Sequence, residues 1–177
     1  MTKPYVFDTG PLIHLARAQW LGPLKAVIGD SSALIPDVVV NELEEAARRD
    51  HRIQAVLDAE WIEHRELRTP EEIEAFTKFA GLLVRGHRNA GEAGALALAS
   101  TVGGVVVVDD GAGRKAADRN RIEYCPTLRL LCMAIRSGLL TIPLVSALAD
   151  DLLISNYRLP FAPGGFAKWA LEDELVT

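Results

Sequence analysis

The stretch GVVVVDDG, residues 104–111, runs through four β-branched apolar residues in unbroken succession and then meets two acids. A strand wetted on one face alternates apolar with polar residues, whereas a strand covered on both faces reads as a continuous apolar run. This one therefore belongs in the middle of a parallel sheet. A shorter version stands near the amino end, where Tyr5, Val6 and Phe7 lead into Asp8, and Gly10 and Pro11 can then begin a helix. Open α/β sheets bind their ligands at the carboxyl ends of the strands. Two strands of one parallel sheet would deliver Asp8, Asp109 and Asp110 to a single edge.

Outward from these strands the pattern alternates. SSALIP (31–36) reads as a second short strand closed by Pro36, WIEHREL (61–67) alternates like a strand, and IEYC (122–125) is short and apolar enough for another. Helices are predicted over 11–20, over GPLKAVIG (22–29), over 37–50, from Pro70 to Leu83 behind a Thr69/Glu72 capping box, and over 89–103. Others follow over 113–119, Thr127–Arg136, Val145–Ile154 and near Phe166–Leu175. In the helix 37–50, Val38, Leu43, Ala46 and Ala47 can face inward, with Glu44–Arg48 and Glu45–Arg49 as pairs facing water. Strands alternating with helices give an α/β fold: three layers, α/β/α, around a central parallel sheet.

At 177 residues the chain fits one domain, 1–177, with residues 140–177 as a helical C-terminal extension. The turn-rich LPFAPGG (159–165) makes the last dozen residues an arm or capping helix, not core. The apolar LLTIPLVSALADDLLI (139–154) can serve an interface or pack on the core. Half the residues are hydrophobic and a quarter charged, without low-complexity tracts, which excludes a disordered chain. The amino end lacks a signal peptide's basic start and apolar centre, and no apolar run is long enough to cross a bilayer; a cytoplasmic protein without a membrane partner is expected. Cys125 and Cys132 lack metal-binding or Cys-x-x-Cys spacing and read as reduced, partly buried thiols. His14, beside an apolar stripe, reads as a packed or rim histidine.

A net charge of −5 argues against bulk attraction to nucleic acid but leaves room for local basic surface. Three clusters qualify: Arg48, Arg49, His51 and Arg52; Arg85, His87 and Arg88; Arg114, Lys115, Arg119 and Arg121. Each can equally be a solvated face. The acids also have ordinary readings: Asp109 and Asp110 as a turn or helix cap, Glu92 in a capping box with Asn89, Glu42 as a solvated helix residue without an i+4 partner. Gathered carboxylates repel one another unless a cation joins them. An all-oxygen set suits Mg²⁺ or Mn²⁺, and the sequence offers no Cys/His set for zinc.

Four motifs in order, VFDTGPLIHLAR (6–17), VVVNELEEA (38–46), NAGEAGALALA (89–99) and VVVVDDGAGRKAA (105–117), resemble the PIN domain family over about residues 4–140. That family is a metal-dependent ribonuclease fold that includes the VapC-type toxins of bacterial toxin–antitoxin pairs. The variant GEAGALALA is similar to a branch of predicted nucleic-acid-binding PIN proteins with paired aspartates and a helical C-terminal extension. The resemblance implies Asp8, Glu42, Glu92 and Asp110 as catalytic acids. It implies Asp8, Glu92, Asp109 and Asp110 as holders of one or two Mg²⁺ or Mn²⁺ ions. Arg85 and Arg88 precede Glu92, and Arg114 and Lys115 follow the acidic tip by one helical turn, so both clusters can flank the cleft and grip RNA phosphates. The expected activity is a divalent-metal-dependent endoribonuclease, with an antitoxin protein and a homodimer as partners. Two positions depart from the pattern. Val108 stands where many members carry Thr or Ser, and Gly94 where closer relatives often carry a second acid. A non-catalytic RNA-binding or protein-interaction module on the same fold is the alternative. A haloacid-dehalogenase-type phosphatase is a more distant one, since VFDTG resembles that class's nucleophile motif but has Gly10 where a second aspartate is expected.

Overall fold

The computed structural model describes residues 2–86, 88–172 and 175–176; His87 of the second basic cluster lies outside the described residues. The elements run β1 (Tyr5–Phe7), α1 (Thr9–Arg17), α2 (Leu21–Ile28), β2 (Ala33–Pro36), α3 (Asp37–Ala47), a 3₁₀ turn (His51–Ile53) continuing into α4 (Gln54–Leu57), β3 (Ile62–Arg65) and α5 (Pro70–Leu83). Then come α6 (Ala90–Val102), β4 (Val105–Val107), α7 (Gly111–Arg119), α8 (Thr127–Arg136), α9 (Ile142–Ile154) and α10 (Phe166–Glu172).

All four strands are parallel in the order β3-β2-β1-β4, so the two acid-tipped strands β1 and β4 are neighbours. Their register aligns Val6 with Val106 and Phe7 with Val107. Because side chains alternate across a strand, each aligned pair faces one side of the sheet. Phe7, Ile35 and Val107 enter one buried cluster with α1, α3, α8 and α9, while Val6, Leu34 and Val106 enter a second with α5, α6 and α7. These two cores are the physical content of the three-layer α/β/α architecture. α6 is buried continuously from Gly91 to Ala99, and two of its glycines sit where a side chain would collide: Gly91 against Glu42 and Thr9, Gly94 against Val38.

Several expectations are corrected. IEYC is reduced to one parallel bridge between Tyr124 and Val106, because Arg121 turns the chain at a left-handed φ of 57° and Pro126 leads straight into α8. α1 starts earlier than expected and ends at Arg17, where Gln19 adopts a φ of 63° and the Trp20 amide closes the helix on the Leu15 carbonyl. In α3 it is Val39 that is buried with Leu43, not Val38, and Glu45 takes both Arg48 (3.0 Å) and Arg49 (2.6 Å). The last helix is not a detached arm. Phe166 and Ala170 are fully buried in the first core, braced by Phe161 and Trp169 at ring distances of 5.3–6.2 Å. Stretch 139–154 packs on that core through Val145, Leu148, Ala149 and Leu152, while Ile154 stays 80% exposed. Both cysteines are free and buried, and burial pushes each thiol up to about 11. No helix among the described residues is long and apolar enough to cross a membrane.

Candidate active site

The Asp8 amide donates to the Val107 carbonyl (3.1 Å), extending the β1–β4 ladder one residue past the strand and fixing Asp8 at the sheet's carboxyl edge. Its side chain does not cap α1. Burial raises its carboxyl most; the Thr9 amide pulls it back, Glu42 and Asp109 push it up, and the Gly10 amide pulls it back again. The net result lies near 7, from 3.8.

Glu42 reaches the same edge from α3. The Thr9 hydroxyl donates to its Oε2 and the Gly91 amide to its Oε1 (2.9 Å), so one carboxylate ties α1, α3 and α6 together. A Cβ at Gly91 would collide with both Glu42 Oε2 and Thr9 Oγ1. This approach is open only to glycine.

Glu92 differs from every other acid among the described residues. The expected capping box with Asn89 does not form, because Asn89 takes a left-handed φ of 67° and its amide donates to the Leu83 carbonyl (3.2 Å). The glutamate is 4% exposed and neither Oε makes a well-formed hydrogen bond. Burial raises its carboxyl first, then Asp8 and Asp110. The nearby Gly113 amide offsets part of this, Glu42 adds to it, and the carboxyl reaches about 7 from 4.5. A Cβ at Gly113 would collide with Glu92 Oε1. An unpartnered buried carboxylate is costly, and its persistence beside two other acids calls for a positive counter-charge.

The paired aspartates separate in role. Asp110 is exposed at the N-cap of α7, one oxygen accepting from the Ala112 amide (2.6 Å). Asp109 turns to α8, whose own N-cap, Pro126, has no capping oxygen: the Thr127 amide donates to its Oδ1 (2.8 Å) and the Thr127 hydroxyl to its Oδ2 (2.7 Å). The turn-and-cap reading therefore describes part of what both aspartates do. Asp8, Asp110 and Glu42 lie close enough to Glu92 to raise its carboxyl, and Glu42 and Asp109 close enough to raise that of Asp8, but among the described residues no three His, Cys, Asp or Glu side chains are drawn together tightly enough to hold an ion.

A family model, DUF3368, described as PIN domain, matches residues 4–162. The chain belongs to the PIN domain family. Its fold is also that of the crystal structure of VapBC2 from Rickettsia felis bound to a DNA fragment from its promoter: the TM-score is 0.50 at 12% identity, covering 69% of this chain and 97% of that one. No curated protein matches the sequence.

Basic residues flank this PIN domain's acids unequally. Arg85 and Arg88 face each other across a tight turn (amide–carbonyl 3.2 and 3.3 Å) just before α6, both exposed. Arg88, Asn89, Asn41 and Arg49 line an open cleft of about 530 Å³ that has Glu42 in its wall. Arg114 and Lys115 are exposed on the first turns of α7. Arg52 of the first cluster is engaged internally, since it and Arg17 both hold Asp50 (2.8 and 3.0 Å). Val108 is fully buried against Gly113, so a methyl occupies the place expected for a hydroxyl. Gly94 packs under Val38 and Pro36, where a side chain would collide with Val38. His14 is half-buried, its Nδ1 3.1 Å from Ser155 Oγ. Sequence reading did not single out Thr9, Thr127, Gly91 or Gly113. Only Thr9, adjacent to Asp8, carried a local signal.

Proposed function

We propose that this PIN domain is a divalent-metal-dependent endoribonuclease that hydrolyses RNA phosphodiester bonds. The observation that carries the reading is Glu92, whose two buried oxygens lack partners beside Asp8 and Asp110. The donors are carboxylates alone, the set that Mg²⁺ or Mn²⁺ prefers. Asp8, Glu92 and Asp110 would hold the cation, with Asp109 behind them. When bound, it would neutralise charge on the scissile phosphate and acidify an attacking water.

The chain's own residues do the rest. Glu42, held by Thr9 and Gly91, keeps its carboxylate in one orientation and would position the water. Arg85 and Arg88 on one side and Arg114 and Lys115 on the other would contact backbone phosphates, giving position without sequence preference. Asp8 and Glu92 both ionise near 7, so cation binding would release protons and strengthen as pH rises. We also read the protein as a cytoplasmic toxin restrained by an antitoxin and acting as a homodimer, in keeping with the VapBC2 complex that shares its fold. Co-expression with the neighbouring open reading frame tests the first partner and sedimentation the second.

A second reading, the same fold without catalysis, is favoured by the methyl groups of Val108 and by acids that are not drawn into a ligand cluster. The phosphatase alternative has no second aspartate at position 10 and does not fit PIN family membership. Calorimetric titration with Mn²⁺, together with RNA cleavage, separates the first two using wild type and Asp8→Asn. Saturable binding and cleavage that both vanish in Asp8→Asn are expected. RNA binding without metal uptake or turnover would establish the non-catalytic module instead.

A further inference from the structure

Both oxygens of Asp109 are held by one residue: the Thr127 amide donates to Oδ1 (2.8 Å) and the Thr127 hydroxyl to Oδ2 (2.7 Å). Thr127 opens α8 and is only 2% exposed, so little water competes for the pair. Its place opposite Asp109 is set by the chain before it. The Val106 amide donates to the Glu123 carbonyl and the Cys125 amide to the Val106 carbonyl (both 2.9 Å), which ties the run into α8 alongside β4. The residues after β4 keep the strand's alternation. Val107 enters the core shared with α8 and Val108 the core shared with α6 and α7, so Asp109 returns to the α8 side. Asp110 then falls on the other side, where Val108 and Glu92 both approach Gly113, and it caps α7 through Oδ1. One peptide unit separates the two aspartates, so an anchor on the first sets the direction of the second.

We infer that Thr127 is a positioning residue of the acidic site: by gripping Asp109 from α8 it fixes the turn that presents Asp110 to a divalent cation. Asp109 is the anchor of that turn and not itself a ligand. This inference rests on the metal-dependent reading above. It makes α8, which supplies none of the acids, part of the support of the metal centre. A carboxylate held at both oxygens by one buried residue cannot swing, and groups that orient ligands from behind typically change metal affinity 10- to 100-fold when removed.

The test is calorimetric titration of the full chain with Mn²⁺ alone. Thr127→Val keeps the shape of the side chain but deletes the hydroxyl; it is expected to weaken Mn²⁺ binding about tenfold, and Thr127→Ser should restore affinity. Asp109→Asn weakens the same anchor from its other end and should also cost about tenfold. The double variant should bind no more weakly than either single one, because both cut one link. Leu131→Val loosens α8 without touching Thr127, and should retain wild-type affinity despite a lower Tm. Unchanged Mn²⁺ affinity in Thr127→Val, an equal loss in Leu131→Val, or losses that multiply in the double variant, as they would if Asp109 were a ligand, would overturn the inference while leaving the metal site standing. Absence of Mn²⁺ binding in wild type would overturn both.

Discussion

Replacing Glu92 by Gln should make the metal-free protein more stable at alkaline pH while destroying its affinity for cations. Folding moves the Glu92 carboxyl from 4.5 to about 7, a difference of about 3 kcal/mol in the free energy of ionisation. A carboxyl raised in the folded state contributes stability below its unfolded value, and that contribution is lost as pH rises through the folded one. Wild type should therefore lose about 3 kcal/mol from this group between pH 4.5 and pH 8, and the Gln variant should lose none of it. A buried amide without full hydrogen bonding costs about 1–2 kcal/mol itself. The net gain for Glu92→Gln at pH 8.5 is then about 1–2 kcal/mol, or roughly 3–6 °C in Tm for a domain of this size. At pH 5 the gain should vanish or reverse. The assay is thermal unfolding of both proteins in EDTA across pH 5–9, repeated with Mn²⁺. Cation at a hundred times its Kd should add about 2.7 kcal/mol to wild type and far less to the variant. A Gln variant less stable than wild type at pH 8.5 in EDTA, or a difference that ignores pH, would refute the reasoning.

Gly113→Ala places a methyl on Glu92 Oε1 and under Val108, so both must move; a loss of about 2 kcal/mol in urea unfolding is expected, with cleavage reduced more steeply than stability. Thr9→Val removes one of Glu42's two donors, and should lower the cleavage rate about 10- to 100-fold with little change in RNA affinity, measured by single-turnover kinetics. Arg88→Ala and Arg114→Ala should each weaken RNA binding and reduce the slope of log affinity against log salt by about 0.7, while the rate at saturating RNA holds; an unchanged slope would place them off the substrate path.

Much of the fold was legible because its signals are local. The uninterrupted valines of 105–108 require a covered strand, and the Thr69/Glu72 capping box with Pro70 fixes the start of α5, its two reciprocal bonds present at 3.2 and 2.9 Å. That Asp8 and Asp110 follow neighbouring strands was readable from the two apolar runs that precede them, while Glu42 and Glu92 were named by motif order alone. What escaped depends on chain path. IEYC has strand composition, but the turn at Arg121 and Pro126 leave it no length to pair. The Asn89–Glu92 spacing fits a cap, yet the left-handed backbone at Asn89 turns its side chain toward Leu83 and leaves Glu92 without that partner. The bonds that Asp109 takes from Thr127, 18 positions along the chain, follow from no spacing rule.

The order of the sheet also dictates when this site comes into being. Its acids arise from β1, α3, α6 and the end of β4, and β4 is the last strand made although it docks directly beside the first. A chain synthesised only as far as α6 has no strand on that side of β1 and no Asp110. Closing the gap demands contacts between residues a hundred positions apart, the slow kind of folding step. The edge is thus assembled late and all at once, so a partly made or partly unfolded chain carries scattered acids and no centre.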